Sequence, residues 1–163
     1  MPVRLRFIVQ SALFGLIAVA NLAQAAGTDE SSRTPRVPSP PAYQQECASC
    51  HVAYPAGMLP APSWQRLMNN LQRHYGADAS TDAATVKALS AWLNANAGTY
   101  KRVREEPPED RITQSAWFNR KHSKEVSAAT WKLPAVKSAA NCTACHTQAD
   151  KGDFNERNIR VPR

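Results

Sequence analysis

Apolar residues in this chain form one continuous run at the start and, after it, short stripes at helical spacing. The run spans Phe7 to Leu22, is broken by Gln10, Ser11 and Asn21, and is preceded by Arg4 and Arg6. Ala23-Gln24-Ala25 then supplies the small-x-small pattern that signal peptidase accepts, so residues 1–25 read as an export signal. The run is short and interrupted for a membrane span, which needs about 20 predominantly apolar residues. An uncleaved N-terminal anchor is the alternative. No later segment is apolar enough to span, so the mature protein is expected in the periplasm, beginning near Ala26.

Residues 26–41 are rich in Ser, Thr and Pro and predict a flexible lead-in. Tyr43 to His51 predicts a short helix, and Val52 to Pro62, with Pro55, Gly57, Pro60 and Pro62, predicts a loop. Ser63 is the expected N-cap of a second helix, whose stripe is Trp64, Leu67, Met68, Leu71 and Tyr75, with Gly76 at its C′ position. A third helix is expected from Asp82 to Ala97, with Val86, Leu89, Trp92 and Leu93 inward and Gly98 ending it. The charged, Pro-containing stretch 100–111 predicts a linker between two units, residues 42–99 and 112–163. Beyond it, Thr113 is placed as the cap of a helix through His122, and a further helical stretch covers Val126 to Trp131. A last helix opens near Pro134 and carries residues 142–146, with Gly152 beyond its end. No alternating strand pattern of useful length occurs, so the fold class is all-α with long loops.

Charge changes this picture little. Removing 25 of 163 residues leaves 138, and losing Arg4 and Arg6 lowers the formal charge from +7 to +5. That mild balance suits acidic protein partners and is too scattered for nucleic acid. Lys101-Arg102-Val103-Arg104 is basic, but Glu105, Glu106, Glu109 and Asp110 follow it.

The cysteines change it a great deal. All four lie in two C-x-x-C-H motifs, Cys47-Ala48-Ser49-Cys50-His51 and Cys142-Thr143-Ala144-Cys145-His146. Two disulfides, a zinc site or a thioredoxin-like pair are the competing uses of such cysteines. Zinc pairs usually lie about 12–20 residues apart, whereas Cys50 and Cys142 stand 92 apart. No βαβ context supports a thioredoxin-like pair, and neither zinc nor a redox pair requires the adjacent histidine. Covalent haem requires it: the two sulfurs meet the porphyrin vinyl groups, and the next residue offers its imidazole to the iron. The sequence therefore predicts two haem c groups, attached at Cys47 and Cys50 and at Cys142 and Cys145. Counting them brings the mature charge to about +3, since each ferric haem adds one core charge and two propionates. So short a chain is expected to depend on its porphyrins for a core, and to be largely unfolded without them.

His51 and His146 are then the proximal iron ligands, and two histidines remain. His74 follows Leu71 by three residues and extends the apolar stripe, so it faces inward, where an unpaired imidazole is costly. His122 stands four residues after Phe118 and precedes Cys142 by 20. These two are the candidate distal ligands of haem 1 and haem 2. Met58, in the Pro-rich loop, is the rival to His74, while Met68 on the stripe reads as packing. The second half has no methionine, and Lys121 or Lys124 could ligate only after losing a proton. The four tryptophans read as haem-pocket packing.

Several stretches together resemble the small dihaem cytochrome c family of proteobacteria, often abbreviated DHC. They are Tyr54-Pro55, Ser63-Trp64, His74-Tyr75-Gly76-Ala77-Asp78, Trp117-Phe118-Asn119-Arg120-Lys121-His122 and Ala140 through His146, with Gly152 and Phe154. The resemblance implies a class I cytochrome c-like N-terminal unit, a less regular C-terminal unit, and bis-histidine haems with His74 and His122 as distal ligands. It further implies exchange of electrons with an oxygen-binding monohaem cytochrome and a membrane b-type cytochrome.

Two imidazoles per iron leave no open position, which favours one-electron transfer over catalysis, and the absence of a thioether ligand favours low potentials. The contrasting expectation is a peroxidase-like or gas-binding protein with one open haem. A purely structural haem protein, or a subunit of a larger complex, is the third.

Overall fold

Prolines decide where the first two helices begin. The structure, a computed structural model, describes residues 37–163, so the export signal and most of the lead-in lie outside the described residues. Helix α1 runs Pro41–Cys47 with Pro41 at its first position, and α2 runs Ala61–Met68 with Pro62 in its first turn. A proline there sacrifices no hydrogen bond, because the first helical N–H groups have no intrahelical partner. The expected start of α2 at Ser63 is thus corrected to Ala61. Ser63 lies inside the helix, fully buried at 0 % exposure, and its hydroxyl accepts from the Arg66 guanidinium at 3.4 Å.

The apolar stripe does not stay on one α-helix. Helix α2 stops at Met68, before Asn69 and Asn70, residues of low helix propensity. A 3₁₀ turn, Leu71–Arg73, follows. Tyr75 (φ 51°) and Gly76 (φ 95°) then reverse the chain in the left-handed region. Tyr75 is therefore 40 % exposed instead of continuing the stripe, and Gly76 ends a 3₁₀ turn, not an α-helix.

Helix α3, Ala83–Asn96, is capped by Asp82, whose Oδ1 accepts from the N–H groups of Ala84 and Thr85 at 3.0 and 2.9 Å. Leu89 and Leu93 face inward and are buried, while Val86 and Trp92 are half-buried. Packed against α2 and α1, they form one apolar cluster with Tyr43, Ala53, Ala56, Leu59, Trp64 and Met68. Gly98 lies so close beneath this cluster that a Cβ would collide with Val103 and the Gly57 carbonyl. The stretch 100–111 is no loose tether. Val103 and Pro107 are buried, and Arg66 on α2 binds Glu106 at 2.5 Å and both Asp110 oxygens at 2.6 and 2.9 Å.

The second half is sparser. Helix α4, Ala116–His122, is capped by Ser115, whose hydroxyl accepts from the Phe118 N–H at 3.1 Å; Thr113, the expected cap, sits in the preceding 3₁₀ turn. Ser127 caps the single-turn helix α5, Ala128–Trp131. The helix expected around the second motif is a 3₁₀ turn, Cys142–Ala144. Asn141 and Ser138 divert that backbone. The Asn141 amide donates to the Val136 carbonyl at 3.1 Å, and the Ser138 hydroxyl accepts from the Ala140 N–H at 3.0 Å. The first motif likewise leaves its helix at Cys47 and continues as a turn. Among the described residues no strand forms, only isolated bridges, and no helix is long and apolar enough to cross a membrane. The class is all-α with long loops.

Candidate haem centres

Each C-x-x-C-H motif brings its histidine opposite one of the two remaining histidines. In the first, the turn after α1 exposes Cys50 and half-buries Cys47. His51 Nδ1 lies 2.8 Å from the Val52 carbonyl. A carbonyl only accepts, so the proton sits on Nδ1 and the Nε2 lone pair is free. His74 sits where the 3₁₀ turn meets the left-handed reversal, with its ring centroid 6.1 Å from that of His51 and the planes 25° apart. The reversal is clamped from outside. The Tyr75 hydroxyl donates to the Glu109 carbonyl at 2.8 Å, and the Arg111 guanidinium lies 4.0 Å over the Tyr75 ring. The Arg66 hydrogen bonds hold Asp110 well below the usual carboxylate range, so this clamp stays charged in neutral solution.

In the second centre, His122 is the last residue of α4. Its Nδ1–H donates to the Phe118 carbonyl at 2.9 Å, again leaving Nε2 free, and its ring stacks on Phe118 at 3.9 Å. His146 follows the 3₁₀ turn through an N–H to Cys142 carbonyl bond of 2.8 Å and packs on Phe154 at 5.3 Å. The His122 and His146 centroids are also 6.1 Å apart, with the planes 60° apart.

That spacing fits a metal shared by the two rings of each pair. A metal–imidazole bond of about 2 Å on each side, plus roughly 1.1 Å from ring nitrogen to centroid, puts two ligating rings about 6.2 Å apart. Both pairs match. Burial, reinforced by the neighbouring imidazole, pushes the pKa values of His74 and His146 down, which favours the neutral form that metals require. Three buried nitrogens lack a protein partner: His74 Nδ1, His146 Nδ1 and Trp117 Nε1. The spacing, the Nε2 lone pairs left free on His51 and His122, and the neutral forms favoured at His74 and His146 fit a metal held between two imidazoles in each half.

The cysteines fit haem and not its rivals. All four are free thiols. Burial pushes Cys47 up to about 11 and also raises Cys142 and Cys145, the opposite of the lowered pKa of a reactive redox cysteine. Among the described residues no group of three or more His, Cys, Asp or Glu side chains converges as a bare-metal site. Met58 is half-buried in the 3₁₀ turn Ala56–Met58 and lines a cavity of about 730 Å³ with Tyr54, Trp92, Tyr100 and Trp117. Lys121 is engaged by Glu156 at 2.8 Å, and Lys124 is exposed. Trp64 is core, donating to the Ala56 carbonyl at 2.7 Å, whereas Trp131 lies 6.1 Å from His122. Sequence reasoning quoted Tyr54 only within the family pattern and gave it no role; its ring stands 5.0 Å from His51 and its hydroxyl donates to the Ala140 carbonyl at 3.0 Å. Only a contact across 86 residues reveals it.

Residues 43–154 match the dihaem cytochrome c family. The chain belongs to that family. Its fold is similar to the X-ray structure of a diheme cytochrome type c from Shewanella baltica OS155, with TM-score 0.67 and 34% identity over 77% of this chain and 95% of that one. Two structures of diheme cytochrome c from Rhodobacter sphaeroides are also similar, with TM-score 0.64. They are 42% and 41% identical over 72% of this chain and cover 99% and 98% of their own. No curated protein matches. As a dihaem cytochrome c, the chain carries two haem c groups and works in electron transfer.

Proposed function

We propose that this dihaem cytochrome c is a periplasmic one-electron carrier with two six-coordinate, bis-histidine, low-potential haems. Haem 1 is attached at Cys47 and Cys50 between His51 and His74, and haem 2 at Cys142 and Cys145 between His146 and His122. The observation that carries this reading is the 6.1 Å centroid spacing in both histidine pairs. The export signal in residues 1–25 supports the compartment. The redox partners implied by the family resemblance, an oxygen-binding monohaem cytochrome and a membrane b-type cytochrome, belong to the same proposal.

The bound haems supply the chemistry, each iron cycling between ferric and ferrous. The protein's part is to hold the coordination sphere unchanged while that happens. Val52 and Phe118 carbonyls lock the tautomers of His51 and His122 and make both imidazoles more basic donors. The clamp of Tyr75, Arg111 and Arg66 on residues 106–110 fixes the loop that presents His74. A carrier whose ligands do not move reorganises little when an electron arrives.

Closed irons exclude other ligands. The dithionite-reduced protein is expected to give no carbon monoxide difference spectrum at neutral pH, and redox titration to place both haems below the range of Met/His cytochromes. Stoichiometric carbon monoxide binding at one haem would instead establish an open site and a catalytic or gas-binding role.

A further inference from the structure

We infer that Tyr54 is the positioning residue that couples the two haem centres, its ring set against the proximal histidine of haem 1 and its hydroxyl anchoring the attachment turn of haem 2. The inference rests on the haem placement proposed above. The Tyr54 ring centroid stands 5.0 Å from that of His51. At the other end of the same side chain, the hydroxyl donates to the Ala140 carbonyl at 3.0 Å, two residues before Cys142, a cysteine that attaches haem 2. One phenol thus spans from a ligand of the first iron to the attachment turn of the second haem.

The chain holds this side chain in place from behind. Pro55 restricts Tyr54 to extended backbone, and the Tyr43 hydroxyl donates to the Tyr54 carbonyl at 2.6 Å. Tyr43 is itself buried and packs on Trp92 at 4.9 Å. Tyr54 therefore projects from the rigid half, whose core contains α2 and α3, into the sparser half. That hydrogen bond ties the Ala140–Cys142 turn to the first half, so the hydroxyl helps to set where haem 2 sits relative to haem 1.

The step this serves is internal exchange. One iron passes from ferrous to ferric as the other passes from ferric to ferrous, and Tyr54 gains or loses neither electron nor proton. Its work is to fix the separation and the packed path between them, on which exchange depends steeply.

Tyr54→Phe keeps the ring and removes the hydroxyl, and Tyr54→Leu removes both. The test measures inter-haem electron exchange in half-reduced holoprotein by NMR line broadening, together with the magnetic interaction between the two ferric irons. Exchange is expected to slow by more than twofold in Tyr54→Phe, as the separation between the centres loosens, and further in Tyr54→Leu, with the magnetic interaction weakened in the same order. Exchange within twofold of the parent in Tyr54→Phe, with only a lower melting temperature, would reduce Tyr54 to a structural staple and overturn the inference. Should Tyr54→Leu fail to fold, the Tyr54→Phe comparison decides alone. Mass spectrometry of haem peptides and absence of carbon monoxide binding on the parent protein check the placement separately. Haem missing from Cys142 and Cys145 would defeat that placement, and the inference with it.

Discussion

Replacing His74 by Ala is expected to convert this protein from one that binds no carbon monoxide into one that binds a single equivalent. The imidazole it loses stands alone opposite His51. The rival donor, Met58, sits in the 3₁₀ turn Ala56–Met58 and lines the cavity with Trp92 and Tyr100, and its capture of the iron is the outcome that would keep haem 1 low-spin. The clamp on Tyr75 is made by residues outside the imidazole, so the loop should persist and leave a hole the size of a ring. Haem 1 becomes high-spin, while haem 2, ligated by His122 and His146, keeps its low-spin spectrum. His122→Ala is expected to do the reverse. A His74→Ala protein that stays fully low-spin and refuses carbon monoxide would show that another side chain ligates haem 1.

The second large effect concerns folding. Among the described residues of the second half, the buried apolar side chains are Phe118, Val126, Val136 and Ala149. Full burial of a large apolar side chain contributes about 1.5–3 kcal/mol, whereas ordering backbone costs about 1 kcal/mol or more for every residue. Four such side chains cannot order some fifty residues, so the second half depends on its porphyrin. The first half has the eight-residue cluster around Leu59, Trp64 and Leu93. The double variant Cys142→Ser with Cys145→Ser should therefore lose amide protection across residues 112–163 while helices α2 and α3 remain protected. Hydrogen exchange reads this directly, and uniform protection in both halves would contradict it. The loss expected from sequence for the whole haem-free chain thus becomes a graded one, deepest after residue 111.

The chemistry was more legible in the sequence than the geometry that delivers it. Cysteine and histidine spacing named both attachment motifs and divided the histidines into two pairs, because covalent haem needs residue types at fixed separations. The reasoning for His74 followed a path the fold does not take. It assumed an unbroken helix from Trp64, whereas Asn69-Asn70 ends the helix and a left-handed Tyr75 turns the chain. Ser63 misled for a related reason, since a buried serine bonded to Arg66 looks identical in sequence to a cap. The helix expected around Cys142 failed because Ser138 and Asn141 take up local backbone groups. Tyr54-Pro55 stood out in the sequence only as part of the family pattern, with no role attached: its contact to Ala140 is one that only the folded chain makes.

The central claim is that two imidazoles close each iron, and electron paramagnetic resonance of the fully oxidised protein tests it most directly. Nearly parallel ligand planes act on the same iron d orbital and separate its levels, whereas strongly crossed planes act on two and leave them closer. With planes at 25° in one pair and 60° in the other, the spectrum should contain two distinct low-spin signals of equal intensity. The more anisotropic one should come from haem 2 and persist in His74→Ala. A high-spin ferric signal accounting for one of the two haems at neutral pH would contradict the account.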